Sequence, residues 1–201
     1  MSLAENLGTF GRDRIARESG EVSRPWHTAQ MLIVLAGLPG TGKTSLAREL
    51  AAQLGAVHLR IDAIETVLHR VGIWSDEHPA AAYEIAAELA DDQLRHGLAV
   101  IIDAVNPVPQ DRRAWRDLAA RRGVTLVAAE LACADAVEHR RRVEGRAPDV
   151  QGQVVPSWRE VVEREYVPWD DDDVLHLDAA KADDHVGAIT VRVRSIAVSK
   201  R

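Results

Sequence analysis

The sequence predicts an α/β protein, in which helices cover both faces of a parallel sheet, and three observations support this fold class. Short apolar runs alternate along the chain with longer amphipathic segments, which is typical of strand–helix–strand units. The run at 31–36 is apolar throughout, as expected of a strand that is buried on both faces. With 201 residues, 46% of them hydrophobic and 28% charged, the chain has the size and composition of one globular domain.

We predict five strands, six helices between them and a closing segment, which together form one domain over residues 31–201. Residues 1–30 lack convincing periodicity, and we interpret them as an N-terminal extension. For segment 183–198 we predict a helix, although its sequence ITVRVRSIAV would also fit an alternating strand. The strands are predicted at 31–36, 56–61, 98–103, 124–131 and 174–177. The helices are predicted at about 43–54, 62–70, 79–96, 109–122, 134–145 and 157–166.

Local sequence signals mark where two of these helices begin. Asp62 and Glu65 form a D-x-x-E pattern, in which the first side chain caps the helix and the second reaches back to it. Ser157 and Glu160 form the corresponding S-x-x-E capping box. We therefore expect Asp62 and Ser157 to be helix N-caps.

A glycine-rich turn between the first strand and the first helix matches the pattern G-x-x-x-x-G-K-[ST], filled by Gly37, Gly42, Lys43 and Thr44. Such glycines let backbone N–H groups turn inward around the β- and γ-phosphates of a nucleotide, and the helix N-terminus adds partial positive charge. Lys43 can reach the phosphate oxygens, and the Thr44 hydroxyl can ligate Mg²⁺. We therefore predict that the chain binds ATP, or GTP, with Mg²⁺, and that Lys43 faces solvent when no ligand is bound. The residues expected to contact the nucleotide are Gly37, Leu38, Pro39, Gly40, Thr41, Gly42, Lys43, Thr44 and Ser45.

Two aspartates follow predicted strands at the sheet edge where ligands bind in open α/β folds. Asp103 ends the run AVIID, and we expect it to hold Mg²⁺, directly or through water, together with Thr44; the alternative is a polar strand end. Asp62 has two compatible interpretations. As a helix cap it would contribute roughly 1 kcal/mol. As a catalytic carboxylate it would accept the proton of a substrate hydroxyl that attacks the γ-phosphorus.

The run EHRRRVEGR, from Glu138 to Arg146, is rich in arginine and precedes a stretch of Gly, Pro and polar residues. Arg142 and Arg146 are four positions apart and would share a helix face if the helix continued through Gly145. Two guanidiniums on a mobile arm can neutralise the charge on a transferring phosphoryl group. We therefore predict a lid at about 134–166, with Arg142 and Arg146 as catalytic residues. The alternative is a solvated helix face with a Glu138–Arg142 pair.

Composition narrows the location and the partners of the protein. No apolar run reaches the ~18 residues of a membrane helix, and the first residues lack the apolar core of a secretory signal. One cysteine, Cys133, permits no internal disulfide, which suits a reducing cytosol. The net charge of −6 argues against nucleic acid as the main partner. We expect a cytoplasmic protein, a monomer or a dimer, with a small-molecule substrate, no membrane contact and no structural metal.

The order of the phosphate loop, R-I-D at the second strand, I-I-D-A at the third and R-x-x-x-R further on resembles the small P-loop kinases. This group includes chloramphenicol phosphotransferase, gluconate kinase, zeta-toxin-like kinases and the kinase domain of polynucleotide 5′-kinase. The resemblance covers about residues 31–180 and implies the P-loop nucleoside-triphosphate hydrolase fold, with a five-stranded parallel sheet in the order 2-3-1-4-5. It also implies ATP with Mg²⁺ and transfer of the γ-phosphate to a hydroxyl. The positions that match the group's functional residues are Lys43, Thr44, Asp62, Asp103, Arg142 and Arg146.

We therefore expect an ATP-dependent phosphotransferase whose acceptor is an alcohol group of a metabolite or an antibiotic. Where nucleoside-monophosphate kinases carry D-G-x-P-R, this chain has DAVNP, which argues against a nucleoside monophosphate as acceptor. A polynucleotide 5′-hydroxyl kinase would need a basic groove, but the segment from Trp74 to Asp92 is acidic. A nucleotide switch without transfer would not need a hydroxyl-facing Asp62. Asn106 is expected to shape a turn, with contact to substrate as the alternative. Trp74 and Tyr83 are expected to pack in the core or to stack on a flat substrate.

Overall fold

A five-stranded parallel sheet forms the centre of the protein. The computed structural model describes residues 30–75, 77–181 and 183–199, so the expected extension over residues 1–30 lies outside the described residues apart from Gln30. The strands are β1 (Met31–Ala36), β2 (Val57–Arg60), β3 (Val100–Asp103), β4 (Thr125–Ala132) and β5 (Leu175–Asp178). Their order is β2-β3-β1-β4-β5 and every neighbouring pair is parallel, which confirms the predicted order.

β1 lies in the middle of the sheet, and its six residues are all buried, as its unbroken apolar run predicts. Successive side chains point to opposite faces, so Leu32 and Val34 join one core while Ile33 and Leu35 join the other. Each fully buried side chain of this kind contributes about 1.5–3 kcal/mol. The loop that follows β1 therefore starts from a strand held on both edges and both faces.

Helices cover both faces of the sheet, and in the described part of the chain none is both long and apolar enough to cross a membrane. The helices are α1 (Lys43–Leu54), α2 (Ile61–Arg70), α3 (Ala81–Arg95), α4 (Pro109–Arg122), α5 (Ala136–Glu144), α6 (Trp158–Val162) and α7 (His185–Ser199). α2, α3 and α4 pack on one face, and α1 and α7 pack on the other. The closing segment predicted at 183–198 forms the helix α7, in which Ile189 and Val193, four positions apart, are buried on the same side.

The junction between β2 and α2 differs from the prediction. α2 begins at Ile61, directly after the extended Arg60, so Asp62 is the second residue of the helix and not its N-cap. The D-x-x-E pattern fails here because the chain passes from strand to helix without a connecting loop. As a result, Asp62 does not cap the helix and its carboxylate is free for other contacts. The capping box of Ser157 and Glu160 is confirmed, because each accepts a hydrogen bond from the backbone N–H of the other.

The helix predicted at 157–166 ends at Val162. The chain is drawn into the core instead, where Trp169 is buried and Arg112 donates a hydrogen bond to the carbonyl of Pro168 at 3.1 Å. The remaining boundaries agree with the prediction within one or two residues. Such differences are expected, because backbone hydrogen bonds, not apolar runs, define where an element ends.

Asn106, in the turn after β3, is a fully buried polar residue with a left-handed φ of 49°. Its Nδ2 donates to the Leu35 carbonyl at 2.8 Å, and its Oδ1 accepts from Trp115 Nε1 at 2.9 Å. Its backbone N–H donates to the Tyr83 hydroxyl at 3.2 Å. Asn106 therefore shapes the turn, as predicted. Tyr83 and Trp74 both pack against the core.

Candidate active site

The loop from Gly37 to Gly42 connects β1 to α1 in a conformation that requires glycine. Gly37, Gly40 and Gly42 have φ values of 134°, 86° and 88°, which L side chains rarely adopt. A Cβ on Gly37 would clash with the Leu131 carbonyl, and one on Gly40 would lie 2.6 Å from Val143 Cγ2. β4 and α5 therefore pack directly against this loop.

α5 is held on the loop by buried contacts. His139 Nε2 lies 2.8 Å from the Pro39 carbonyl oxygen, and Val143 contacts Gly40. Both His139 and Val143 are buried. These contacts fix where α5 places its arginines relative to the phosphate loop.

Lys43 is buried and bonded to its own loop, so the expectation that it faces solvent is wrong. It is only 8% exposed, and its Nζ donates to the Leu38 carbonyl at 2.8 Å. Thr41 Oγ1 lies 3.5 Å from the same Nζ. Burial lowers the pKa of Lys43 to about 8, and the nearby Arg146 acts in the same direction, whereas Asp103 opposes the shift. The loop itself thus supplies the acceptors for a desolvated ammonium.

Asp103 lies at the end of β3, where the sequence predicts it, and is buried. Its Oδ2 is 3.2 Å from His58 Nε2 on β2. Burial by itself would raise the pKa of Asp103. The hydrogen bond with His58, the charge of Lys43 and the Thr44 hydroxyl outweigh burial, so the pKa lies below its usual value. A side chain that stays ionised in this position suits a metal ligand.

The residues around Asp103 fit magnesium better than a metal held by protein alone. In the described part of the chain, no three His, Cys, Asp or Glu side chains are grouped so that they could hold a metal ion. Thr44 and Asp103 supply two oxygens, and phosphates and water would have to complete the coordination. This division of ligands is typical of Mg²⁺ in nucleotide sites.

A cavity of about 440 Å³, which we call the central cavity, lies over the loop. Five cationic side chains and three carboxylates line it, in a chain whose net charge is −6. Local positive charge at a helix N-terminus suits phosphate groups. Gly37, Leu38 and Thr41 do not line the cavity, and Leu38 and Thr41 hold Lys43 instead. The lining residues are Pro39, Gly40, Gly42, Lys43, Thr44, Ser45, Arg48, Asp62, Asp103, Ala104, Val105, Arg141, Arg142, Gly145, Arg146, Ala147 and Asp149.

Arg142 and Arg146 both line the central cavity, but they do not share a helix face. The helix predicted at 134–145 ends at Glu144, and Gly145 is its C-cap, so Arg146 lies beyond it. Glycine is a poor helix residue, because an ordered glycine loses more backbone freedom than any other residue. Of the two predicted arginines, Arg142 therefore approaches the cavity from the helix and Arg146 from the loop after it.

The two arginines have different partners. Arg142 donates to Glu138 at 2.7 Å and to the Ala179 carbonyl at 2.9 Å, so the expected i,i+4 pair is present alongside the cavity contact. Arg146 Nη2 lies 3.6 Å from Asp62 Oδ2. Arg142 thus faces the β5 side of the cavity, and Arg146 faces α2.

A group of ion pairs that the sequence did not predict surrounds Asp149, in the loop after α5. Arg60 Nη1 donates to both Asp149 oxygens at 2.8 and 2.9 Å, and Arg48 Nη2 lies 2.5 Å from Asp149 Oδ2. Arg60 Nη2 is also 3.5 Å from Asp62 Oδ2. The hydrogen bond from Arg60, followed by that from Arg48, lowers the pKa of Asp149 to about 2. Arg60 belongs to the R-I-D run, so the sequence could have indicated that it has a role at the site. No sequence pattern marks Asp149.

A second cavity of about 410 Å³, which we call the side pocket, adjoins the central cavity. The two share Pro39, Asp62, Val105 and Arg146, so Asp62 and Arg146 stand at their junction. Asp62 can do so because it lies in the first turn of α2, close to the sheet edge. The lining residues are Pro39, Asp62, Glu65, Thr66, His69, Val105, Arg146, Gly152, Gln153, Val154, Pro156 and Arg164.

A third cavity of about 350 Å³, which we call the β5 pocket, lies beside the start of α1 and the segment that follows β5. Gly42, Ser45 and Arg142 line both this pocket and the central cavity. The three cavities therefore run from the β5 pocket over the phosphate loop to the side pocket. The lining residues are Thr41, Gly42, Ser45, Leu46, Glu49, Leu131, Arg142, Ala179, Lys181, Asp183, Asp184, His185 and Val186.

A family model described as an AAA domain matches residues 32–164, about two thirds of the chain. The match contains the phosphate loop, Asp62, Asp103 and both arginines. The chain therefore belongs to the AAA domain family. Among curated proteins, none matches this chain.

Several solved kinases share the fold. A gluconokinase from Sinorhizobium meliloti is 17% identical with a TM-score of 0.62, over 86% of this chain and 98% of that one. A sugar kinase from Janibacter sp. HTCC2649 is 18% identical with a TM-score of 0.60, over 84% and 96%. The APS kinase CysC of Mycobacterium tuberculosis, in complex with AMPPNP and APS, is 16% identical with a TM-score of 0.58, over 83% and 98%. The predicted resemblance to small P-loop kinases is thus confirmed in family and fold.

Proposed function

We propose that this member of the AAA domain family is a kinase that uses ATP and Mg²⁺ to phosphorylate a hydroxyl group of a small molecule. The observation that carries the proposal is the junction at Asp62 and Arg146, where a phosphate-binding cavity opens into a second pocket. A protein that only senses or hydrolyses nucleotide needs no second pocket beside its phosphate site. The shared fold with a gluconokinase and a sugar kinase supports the same class of reaction.

The nucleotide would occupy the central cavity and the β5 pocket. Its β- and γ-phosphates would lie against the loop N–H groups, and the Lys43 ammonium would exchange the Leu38 carbonyl for phosphate oxygens. Arg142, which lines both cavities, would contact the nucleotide between its phosphates and its base. We propose ATP as the donor, and GTP binding is the alternative that nucleotide titration distinguishes.

Thr44 and Asp103 would hold the metal ion. Magnesium bound there would offset negative charge on the phosphate oxygens during transfer. Asp103 stays ionised because its pKa is low, and the contact with His58 fixes the direction of its carboxylate. These two residues are therefore the proposed metal ligands of the chain.

Asp62 would position the acceptor hydroxyl and take its proton while the oxygen forms a bond to the γ-phosphorus. The bond from the γ-phosphorus to the bridging oxygen breaks, and ADP leaves. Arg146 and Lys43 would stabilise the negative charge on the transferring group. The ion pairs of Asp62 with Arg60 and Arg146 are long, at 3.5 and 3.6 Å, so neither occupies its carboxylate fully.

Asp62→Asn tests this assignment. Asparagine keeps the shape of the side chain but cannot accept the proton, so transfer should fall by ~10²–10⁴ while the affinity for Mg·ATP stays within a few-fold. The measurement is transfer of a radiolabelled γ-phosphate to a panel of sugars, polyols, amino alcohols, nucleosides, antibiotics and 5′-hydroxyl oligonucleotides. Binding of ATP is measured separately by calorimetry.

Asp117→Asn is the matched control, since Asp117 is an exposed carboxylate on α4, away from the three cavities. It should retain full activity. Unchanged transfer in Asp62→Asn would remove Asp62 from the reaction. ATP hydrolysis with no transfer to any acceptor would favour a nucleotide switch, and transfer only to oligonucleotides would favour a polynucleotide kinase.

A further inference from the structure

The side pocket receives opposite charges from two different segments. On α2, Asp62, Glu65 and His69 stand three and four positions apart and line the pocket together. From the other segment, the lining residues are Gly152, Gln153, Val154, Pro156 and Arg164. A pocket that combines carboxylates with a guanidinium complements a ligand that carries charges of its own.

Glu65 lacks a partner in the pocket. It is partly buried, and within the described part of the chain its carboxylate makes no hydrogen bond and no ion pair. Burial, followed by the charge of Asp62, raises the pKa of Glu65. A carboxylate in this setting is stabilised by a ligand that brings a donor, and best by a positively charged one.

Arg164, an exposed residue of the lining, carries the opposite charge. Its guanidinium makes no hydrogen bond or ion pair with any residue that the structure describes, yet it lies near enough to lower the pKa values of Glu65 and Lys43. Arginine binds carboxylates and phosphates through paired N–H groups. Arg164 is therefore free to bind an anionic group of a ligand in the side pocket.

Bound nucleotide changes the balance of charge that the acceptor meets. Arg146 lines both cavities, and in the proposed reaction its guanidinium pairs with the γ-phosphate. Asp62, Glu65 and Arg164 then remain for the acceptor. A neutral polyol would leave Glu65 and Arg164 without charged partners.

The lining of the pocket offers little to a nucleobase. Among the described lining residues, His69 carries the only aromatic ring, and one face of that ring is already stacked on Trp74 with centroids 4.4 Å apart. Recognition of a flat base usually relies on a free aromatic face. The pocket therefore favours a compact polar acceptor.

We infer that the acceptor carries both a cationic amino group and an anionic group beside the hydroxyl that is phosphorylated. In this assignment, which rests on the proposed kinase function, the hydroxyl lies at Asp62, the amino group at Glu65 and the acid at Arg164. The acceptor oxygen gains the γ-phosphoryl group and loses its proton to Asp62, and ADP is the leaving group. Hydroxy amino acids and amino sugar acids belong to this class.

Two matched sets of acceptors test the inference. The six-carbon set is glucosaminic acid with both charges, gluconic acid with the acid alone, 2-amino-2-deoxysorbitol with the amine alone, and sorbitol with neither. The smaller set is homoserine, 4-hydroxybutanoate, 3-amino-1-propanol and 1-propanol. Within at least one set, kcat/KM for the compound with both charges should exceed the others by roughly tenfold or more, because each charge gains a partner.

Variants assign the two charges to their residues. Glu65→Gln should reduce the preference for amine-bearing over amine-free compounds, and Arg164→Gln should reduce the preference for acid-bearing over acid-free ones. Glu84→Gln and Arg113→Gln, which change exposed residues outside the side pocket, should leave both ratios unchanged. Because each readout is a ratio within one enzyme, a general loss of stability or of ATP binding does not alter it.

The outcomes separate this inference from the kinase assignment. If sorbitol, gluconic acid or the amine alone is phosphorylated as well as glucosaminic acid, and the smaller set shows the same lack of preference, the inference is overturned and the kinase assignment stands. If no compound of the broad panel is phosphorylated, the kinase assignment fails. Calorimetry with MgADP present then decides the inference: Glu65-dependent binding of glucosaminic acid or homoserine supports it, and no binding of either to the unaltered protein overturns it.

Discussion

The central cavity and the side pocket form a cleft with a nucleotide end, at the phosphate loop, and an acceptor end, at Asp62. These two ends are held together in different ways. At the nucleotide end, Lys43 is bonded to the Leu38 carbonyl, five residues away in the same loop. At the acceptor end, Arg60 approaches Asp62 at 3.5 Å and is itself bonded to Asp149, which lies 89 residues away and lines the central cavity. A short stretch of sequence therefore builds the nucleotide end, whereas the other end exists only when the fold is complete. Such a division lets one end stay constant while the acceptor end changes.

The ends also differ in how their charges affect stability. Burial lowers the pKa of Lys43 to about 8, so the folded state disfavours the charged ammonium at neutral pH. Arg60 and Arg48 lower the pKa of Asp149 to about 2, so the folded state favours the charged carboxylate. The charge of Lys43 thus destabilises the folded state at the loop where phosphate is proposed to bind. The charge of Asp149 stabilises the folded state in the loop after α5.

Lys43→Met should have the largest effect and act on activity and stability in opposite directions. Loss of the ammonium should lower transfer by ~10²–10³, as for other groups that stabilise a developing charge. The free energy of unfolding of the variant at pH 7 should nevertheless be higher than that of wild type, by on the order of 1–3 kcal/mol. The Leu38 carbonyl keeps a partner, because the Thr41 hydroxyl donates to it at 2.9 Å.

The sign of the pH dependence follows from the lowered pKa. Between pH 8 and 10.5 the unfolded state binds more protons at Lys43 than the folded state, so wild-type stability rises with pH in this range. Urea unfolding should show that the stability advantage of Lys43→Met over wild type is smaller at pH 9.5 than at pH 7. Arg113→Met, on an exposed position, should show neither effect. A variant that is less stable at pH 7 would mean that the bond to Leu38 outweighs the burial of the charge.

The features that could be predicted from the sequence are those that local sequence patterns determine. The phosphate loop is defined by glycines whose positive φ values few other residues adopt, so its pattern could be read directly. The capping box of Ser157 and Glu160 depends on two side chains three positions apart. The parallel sheet follows from alternating strands and helices, while its strand order came from the family resemblance and not from spacing.

Errors arose where the folded course of the backbone, and not a local sequence pattern, decides the outcome. Asp62 looked like a cap, but the start of α2 is set by how β2 runs into it. Lys43 looked solvent-facing, but the turn of the loop places a carbonyl beside its ammonium. The partner of Arg60 is Asp149, and no pattern links two residues 89 positions apart. Such pairs become visible only when the chain is folded.

Arg146→Ala should have the next largest effect and test whether the junction acts during transfer. Arg146 faces Asp62 and lines both cavities, so its charge is expected to matter most when negative charge develops on the transferring group. We expect kcat to fall by roughly 10–10² with a smaller change in KM for ATP. Initial-rate kinetics with a working acceptor give both values.

Arg142→Ala provides the comparison for Arg146. Arg142 is held by Glu138 and the Ala179 carbonyl and lines the β5 pocket, so its loss should raise KM for ATP more than the loss of Arg146 does. Arg113→Ala should change neither constant. Wild-type turnover in both Arg142→Ala and Arg146→Ala would mean that these residues form only a solvated surface.

Asp149→Asn should have the smallest effect on the chemistry, and it tests whether distant ion pairs hold the acceptor end. Asparagine removes the charge facing Arg60, whose side chain is only 7% exposed. Because the Asp149 side chain is 35% exposed and water screens its ion pairs, we expect a loss of only about 1 kcal/mol in the free energy of unfolding. We also expect faster hydrogen exchange over residues 146–153 and a kcat lower by a few-fold.

The pH dependence of this variant runs opposite to that of Lys43→Met. The pKa of Asp149 falls from 3.8 to about 2 on folding, so its contribution is present above pH 3.8 and is lost as the pH falls toward 2. Wild type and Asp149→Asn should therefore converge in acid, and Asp170→Asn, on an exposed position, should follow wild type throughout. If exchange over residues 146–153 and kcat stayed at wild-type values, packing of His139 and Val143 on the phosphate loop would suffice to place Arg146. Both ends of the cleft would then depend on the same loop, and the contrast between a local and a long-range end would no longer hold.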